Sequence, residues 1–151
     1  MRNMSIDNLS IKAKIKILKP LNEVFEAITD PEKMTHYFIA KSSGKMESGK
    51  SLVWYFPEFE EACPVEVKEV IPFELISFSW GTESEATLVE MVFETGKDAA
   101  TIVTVTEKGR HNDEAGIKWL KENTEGWANF LACLKAYSEY GINLRKGAFD
   151  Y

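Results

Sequence analysis

Residues 11–17 alternate strictly between apolar and basic side chains: Ile11, Ala13, Ile15 and Ile17 against Lys12, Lys14 and Lys16. A period of two sends the two sets to opposite faces of a strand, so this segment predicts a half-buried strand with a solvated outer face. Pro20 stops it. Leu21, Val24, Phe25 and Ile28 then follow helical spacing, which predicts a short amphipathic helix. Asp30-Pro31 opens a second helix, because Asp is a good N-cap and Pro fits the first helical position. Met34, Tyr37 and Phe38 form its apolar stripe, and His36 falls within it.

Strand patterns resume after the turn signal Ser48-Gly49. Ser51 to Phe56 reads as a strand, and Pro57 to Glu61 as an acidic loop. Val65 to Lys68 alternates again before a turn at Ile71-Pro72-Phe73. Leu75 to Trp80 is an aromatic strand, followed by a polar turn over Gly81 to Glu85. Thr87 to Glu94 places Thr87, Val89, Met91 and Phe93 on one face. Gly96-Lys97-Asp98 is a hairpin turn, and Thr101 to Thr106 is β-rich enough for an interior strand. Glu107 to Glu114 reads as loop and Ala115 to Lys121 as a short helical lead-in. A long helix is predicted from about Thr124 to Tyr140, with Trp127, Phe130, Leu131, Leu134 and Tyr137 as its apolar stripe. Gly141 fits its C-terminal cap, with Ile142 supplying an apolar contact. This order predicts an α+β fold, a curved antiparallel sheet wrapped around the last helix with a cavity between them.

The 151 residues suit one domain. A chain of this size buries ~68–70% of its unfolded surface, so it needs no staples. Residues 1 to about 8 are polar and expected to fray, leaving an ordered core of about 10–142. The net charge of -6 argues against non-specific binding to nucleic acid or an anionic membrane. Cys63 and Cys133 have no CxxC spacing and read as small hydrophobes in a reducing compartment. There is no signal-peptide pattern and no window near the roughly 18 apolar residues of a membrane span. A cytoplasmic location is expected, and the sequence leaves the oligomeric state open.

Candidate chemistry is sparse. Neither His36 nor His111 has metal-ligand spacing to another His or Cys. His111 beside Asp113 makes an acid/base pair only if its loop covers the cavity mouth. Gly44-x-x-x-x-Gly49-Lys50-Ser51 satisfies the Walker A spelling, but the residues that follow are strand-like rather than helical, so it reads as a chance match. Glu69 is in phase with Val65 and Val67; a bulge before Pro72 would return it to solvent. Glu90 should face out. No nucleophile–base pair, metal set or cofactor fingerprint stands out, so no cofactor is expected and catalysis is the weaker reading.

The run Val24 to Lys33 resembles the opening of the helix-grip superfamily, which includes START-related lipid-transfer domains, birch-pollen-allergen-like proteins and polyketide cyclases. Val67 to Trp80, Thr101 to Glu107, and Glu125-Gly126-Trp127 with Leu131 and Leu134 resemble its bacterial branch related to the activator of the heat-shock-protein-90 ATPase. The resemblance spans about residues 10 to 142 and implies a single helix-grip domain. It also implies binding of a small apolar or amphipathic ligand such as a lipid, polyketide or aromatic metabolite. Trp54, Trp80, Met91, Phe93, Trp127 and Leu131 are the lining candidates. Docking on a chaperone ranks second, since the sequence shows no counterpart of the eukaryotic co-chaperone's N-terminal domain. A cyclase- or hydrolase-like enzyme ranks third, with Glu69 and His111 as its candidates.

Overall fold

The computed structural model describes residues 8–82 and 84–151. The fraying expected at the N-terminus concerns residues 1–7, which lie outside this range. Asn8, grouped with them on polarity, is already the first residue of strand β1 (Asn8–Ile17). The polar turn expected after Trp80 includes position 83, also outside the described residues.

Helices α1 (Leu21–Thr29) and α2 (Pro31–Met34) follow β1. The Asp30 side chain accepts from the Glu32 N–H at 2.9 Å, capping α2 with Pro31 at its start. This helix is shorter than its apolar stripe suggested. His36 lies in the turn beyond it and stacks on Tyr137, with ring centroids 5.8 Å apart. Then come β2 (Lys41–Ser42), β3 (Ser51–Tyr55), β4 (Ala62–Ile71), β5 (Leu75–Trp80), β6 (Thr87–Thr95) and β7 (Thr101–His111). The two-residue β2 has no alternation long enough to be read from sequence. Helix α3 (Glu114–Tyr140) ends the regular structure.

The strands form one open antiparallel sheet in the order β1-β7-β6-β5-β4-β3-β2. Alternating burial in most strands gives it one apolar face: Ile11 and Ile17, Val103 and Val105, Val89, Met91 and Phe93, Val65 and Val67, Leu52 and Trp54; in β5, Ile76, Ser77 and Phe78 are all buried. Trp127, Phe130, Leu131 and Leu134 of α3 close the core from the other side, with Val24, Phe25 and Ile28 of α1 at one end. The register shifts between Val67 and Glu69 in β4. That bulge leaves Glu69 exposed, as strict alternation would not.

Two sequence expectations need correction. β7 continues through His111, so residues 107–111 are strand rather than loop. They pair with Asn8 to Ile11 and, at Glu107 and Lys108, with β6. Helix α3 is continuous from Glu114, capped by the Asp113 side chain, which accepts from Gly116 N at 2.7 Å. Nothing between residues 121 and 124 breaks it, because no proline intervenes. Asn123 spends its side chain on Glu107 instead of capping a new helix. The Gly141 cap follows expectation, with a φ of 69° and its N–H bonded back to Tyr137 O at 2.9 Å, whereas Ile142, expected to pack onto the last turn, is 51% exposed.

Candidate functional site

At one end of the sheet, the first half of α3 stands away from β5, β6 and β7 and leaves a cavity of about 490 Å³. Trp119, Asn123, Gly126, Trp127 and Phe130 face it from α3. These positions recur every three or four residues, so they form a single helix face. Trp80 faces them from β5, while Phe38, Phe56, Phe59 and Cys63 complete the apolar wall. Trp80 and Trp127 lie with ring centroids 5.5 Å apart and planes 30° apart. Phe56 within the wall and the buried Trp54 outside it both lie against Trp80 and extend this aromatic network.

Glu107 of β7 organises the wall. Its residue has no exposed surface. Trp80 Nε1 donates to Oε2 at 2.9 Å, and the Thr87 hydroxyl also donates to Oε2. Trp127 Nε1 and Asn123 Nδ2 donate to Oε1 at 2.7 and 3.1 Å. A carboxylate has about four acceptor sites, so this one is saturated. Its donors come from β5, β6 and α3, and it therefore ties the helix to the sheet across the cavity floor. It also holds both indole N–H groups and so fixes how Trp80 and Trp127 stand in the cavity wall. A base must offer a free lone pair to a substrate proton, and Glu107 has none unengaged.

The rim carries two arginines. Arg145, in the segment after α3, makes a two-pronged pair with Glu58: Nε to Oε2 at 3.1 Å and Nη2 to Oε1 at 2.7 Å. Its guanidinium also lies over the rings of Phe38, Phe56 and Phe149. This strap separates the main cavity from a smaller one of about 210 Å³ between Tyr37, Pro57 and Phe149. Arg110, at the end of β7, lies over Trp119 and 3.5 Å from Glu85. Burial pushes the Cys63 thiol above its ordinary pKa, so it is a poor nucleophile at neutral pH.

Of the six lining candidates, Trp80 and Trp127 stand in the cavity wall. Trp54, Met91, Phe93 and Leu131 are buried in the core beside or beneath it. Glu69 and His111 are both exposed and away from the lining. Glu107, Asn123, Trp119, Arg110 and Arg145 were not singled out from sequence. Glu107 had a legible signal: it continues the inward phase of Val103 and Val105. Reading residues 107–114 as loop hid it, and breaking α3 at residue 121 hid Trp119 and Asn123.

Among the described residues, no group of three or more His, Cys, Asp or Glu could hold a metal ion. Nor is any described helix long and apolar enough to cross a membrane. Gly49-Lys50-Ser51 runs directly into β3, without the helix that a phosphate loop opens.

Residues 19–139 match the family described as activator of Hsp90 ATPase homolog 1-like protein. This chain belongs to that family. Among solved structures, this Hsp90-ATPase-activator-like chain is similar to protein SSP2350 from Staphylococcus saprophyticus. The two share 34% identity, cover 91% and 96% of their respective chains, and have a TM-score of 0.80. DynU16, a protein of the dynemicin biosynthetic locus, is 26% identical with a TM-score of 0.76. That match covers 88% of this chain but 48% of DynU16. The Aha1 dimer from Colwellia psychrerythraea shares the fold at 19% identity and a TM-score of 0.76, covering 88% of this chain and 98% of that one. No curated protein matches. The curved sheet around a terminal helix expected from residue order, and the helix-grip superfamily that the resemblance implied, are thus those of this family and its structural neighbours.

Proposed function

We propose that this protein binds a small apolar or amphipathic molecule non-covalently in the cavity between Trp80 and α3. The supporting observation is the aromatic cavity itself, with its one buried carboxylate fully engaged. Its volume of about 490 Å³ falls within the roughly 300–1,000 Å³ of small-molecule sites. Its walls are mainly aromatic, the polar side chains of Glu107 and Asn123 in them are bonded to each other, and the two arginines stand at the rim. Such a site rewards planar or branched apolar bodies. A lipid, polyketide or aromatic metabolite meets that description. The engagement of Glu107 disfavours its use as a general base, and among the described residues the cavity wall has no histidine.

The test is a titration with N-phenyl-1-naphthylamine, an uncharged fluorescent probe, combined with alkylation of Cys63. Cys63 lines the cavity, whereas Cys133 is buried in the core. Occupancy should raise and blue-shift the probe emission and slow alkylation of Cys63 at alkaline pH. Probe binding without protection of Cys63, or no probe binding, contradicts the proposal.

Family membership supports a second reading, docking on an Hsp90-type chaperone. Pull-down of the host's homologue followed by an ATPase assay decides it; no stimulation at saturating protein ends it.

A further inference from the structure

The cavity rim contains one side chain whose position depends on an irregularity in the sheet. Along β7, Thr101, Val103, Val105 and Glu107 point inward in strict alternation. Continued alternation would send residue 109 inward and Arg110 outward. Instead, Leu9 pairs with Arg110 and Ser10 with Lys108, which leaves Gly109 as an extra residue. Gly109 has a φ of +125°, and a Cβ there would lie 3.3 Å from Ala86 O. A bulge of this kind re-aims the residue after it. Arg110 consequently joins Leu9 on the inner face and reaches the cavity wall.

The two rim arginines differ in commitment. Arg145 has Nε and Nη2 both engaged by Glu58, in a pair only 15% and 10% exposed. Arg110 is 19% exposed, and among the described residues the carboxylate that pairs with it, Glu85, is 58% exposed and 3.5 Å away. Among the described residues, Arg110 makes no side-chain hydrogen bond. A single-point ion pair at 3.5 Å whose carboxylate is solvent-exposed holds weakly and yields readily to a better-placed anion. A guanidinium offers five donors in a rigid fork suited to carboxylate, sulfonate or phosphate oxygens.

Building on the cavity-binding reading above, we propose that Arg110 anchors the acidic head group of an amphipathic ligand whose apolar body lies against Trp80 and Trp127. The head group displaces Glu85 at the mouth, and Trp119 holds the guanidinium from the other side. The ligand class is therefore an aromatic or aliphatic organic acid.

Two probes that share one body separate this proposal from the one it rests on. N-Phenyl-1-naphthylamine is neutral, and 1-anilinonaphthalene-8-sulfonate adds a sulfonate. The readout is the ratio of their affinities. Arg110→Gln should lower the sulfonate-to-neutral ratio about tenfold, the loss of one charge-assisted contact. Glu85→Gln should raise the ratio by removing the competing carboxylate, with circular dichroism confirming that both variants are folded. A wild-type protein that binds the neutral probe but not the sulfonate overturns the head-group proposal alone. So does an unchanged ratio in Arg110→Gln, or a lowered ratio in Glu85→Gln. A wild-type protein that binds neither probe overturns the cavity reading and this proposal with it.

Discussion

The Trp127 indole N–H donates to Glu107 Oε1 at 2.7 Å, joining the middle of α3 to the penultimate strand of the sheet. With Trp80, Thr87 and Asn123 on the same carboxylate, one side chain sets the spacing between helix and sheet. Glu107→Gln keeps the shape but replaces an acceptor oxygen with an NH₂ that faces other donors. The expected loss is about 2 kcal/mol in urea unfolding, with larger losses for Glu107→Ala, which leaves every donor without its acceptor. Unchanged stability in Glu107→Gln would show that the carboxylate does not organise the wall.

The start of α3 is fixed by a close approach. A Cβ on Gly116 would lie 1.8 Å from the His111 carbonyl oxygen. The backbone must move to admit even a methyl group, so Gly116→Ala should cost about 1–3 kcal/mol as an overpacking change. In an exposed helix interior, the same substitution would stabilise. Thermal unfolding gives the sign directly.

The sequence made much of this fold legible, for local reasons. The alternation of Ile11 to Ile17, the Asp30-Pro31 helix start and the Gly141 cap each depend on neighbours in the chain, and each appears in the structure. The cavity wall was less legible. Trp80 and Trp127 could be read as aromatics on inward faces. Glu107, however, looked like the start of a polar loop, because the donors that satisfy it lie 16 to 27 residues away. Burial of a carboxylate can be foreseen only when its partners are known. Arg110 was hidden by the same loop reading of residues 107–114, and even a strand reading would have turned it outward, because the bulge at Gly109 reverses the phase of alternation.

Leu134 has no exposed surface and belongs to the core that α3 closes over the sheet. Leu134→Ala should cost roughly 2–5 kcal/mol, depending on how far the core collapses around the gap. The same denaturant series checks it, and a loss below about 1 kcal/mol would mean that the helix is not docked as described.

Glu139 ties the end of α3 to the chain leaving β1. Its burial opposes ionisation, but the Leu18 N–H, donating at 2.8 Å, and the Lys135 ammonium outweigh this and hold its carboxyl below the ordinary carboxylate range. A depressed folded-state pKa stabilises above the unfolded value of about 4.3, and that contribution fades as pH falls through the folded value. The stability gap between the wild type and Glu139→Gln should therefore be present at about pH 7 and narrow toward about pH 3. Equal gaps at both would contradict the tie.

The Arg145–Glu58 pair fastens the segment after α3 against Phe38 and Phe56. Glu58→Gln should release it, seen as faster amide hydrogen exchange over residues 143–149 with little change in the sheet. Cys63 alkylation should also quicken, because the strap forms part of the cavity wall. Unaltered exchange would show that the ring contacts alone hold the strap.

The most direct test of the cavity uses the chain's own reporters. It has four tryptophans. Trp80, Trp119 and Trp127 line the cavity, whereas Trp54 is wholly buried behind it. Their indole N–H signals can be followed individually in a ¹⁵N correlation spectrum while N-phenyl-1-naphthylamine is added. Binding in the cavity predicts saturable shifts of the Trp80, Trp119 and Trp127 signals, with Trp54 moving least. Saturable binding that leaves those three signals in place, or that moves Trp54 most, would contradict it.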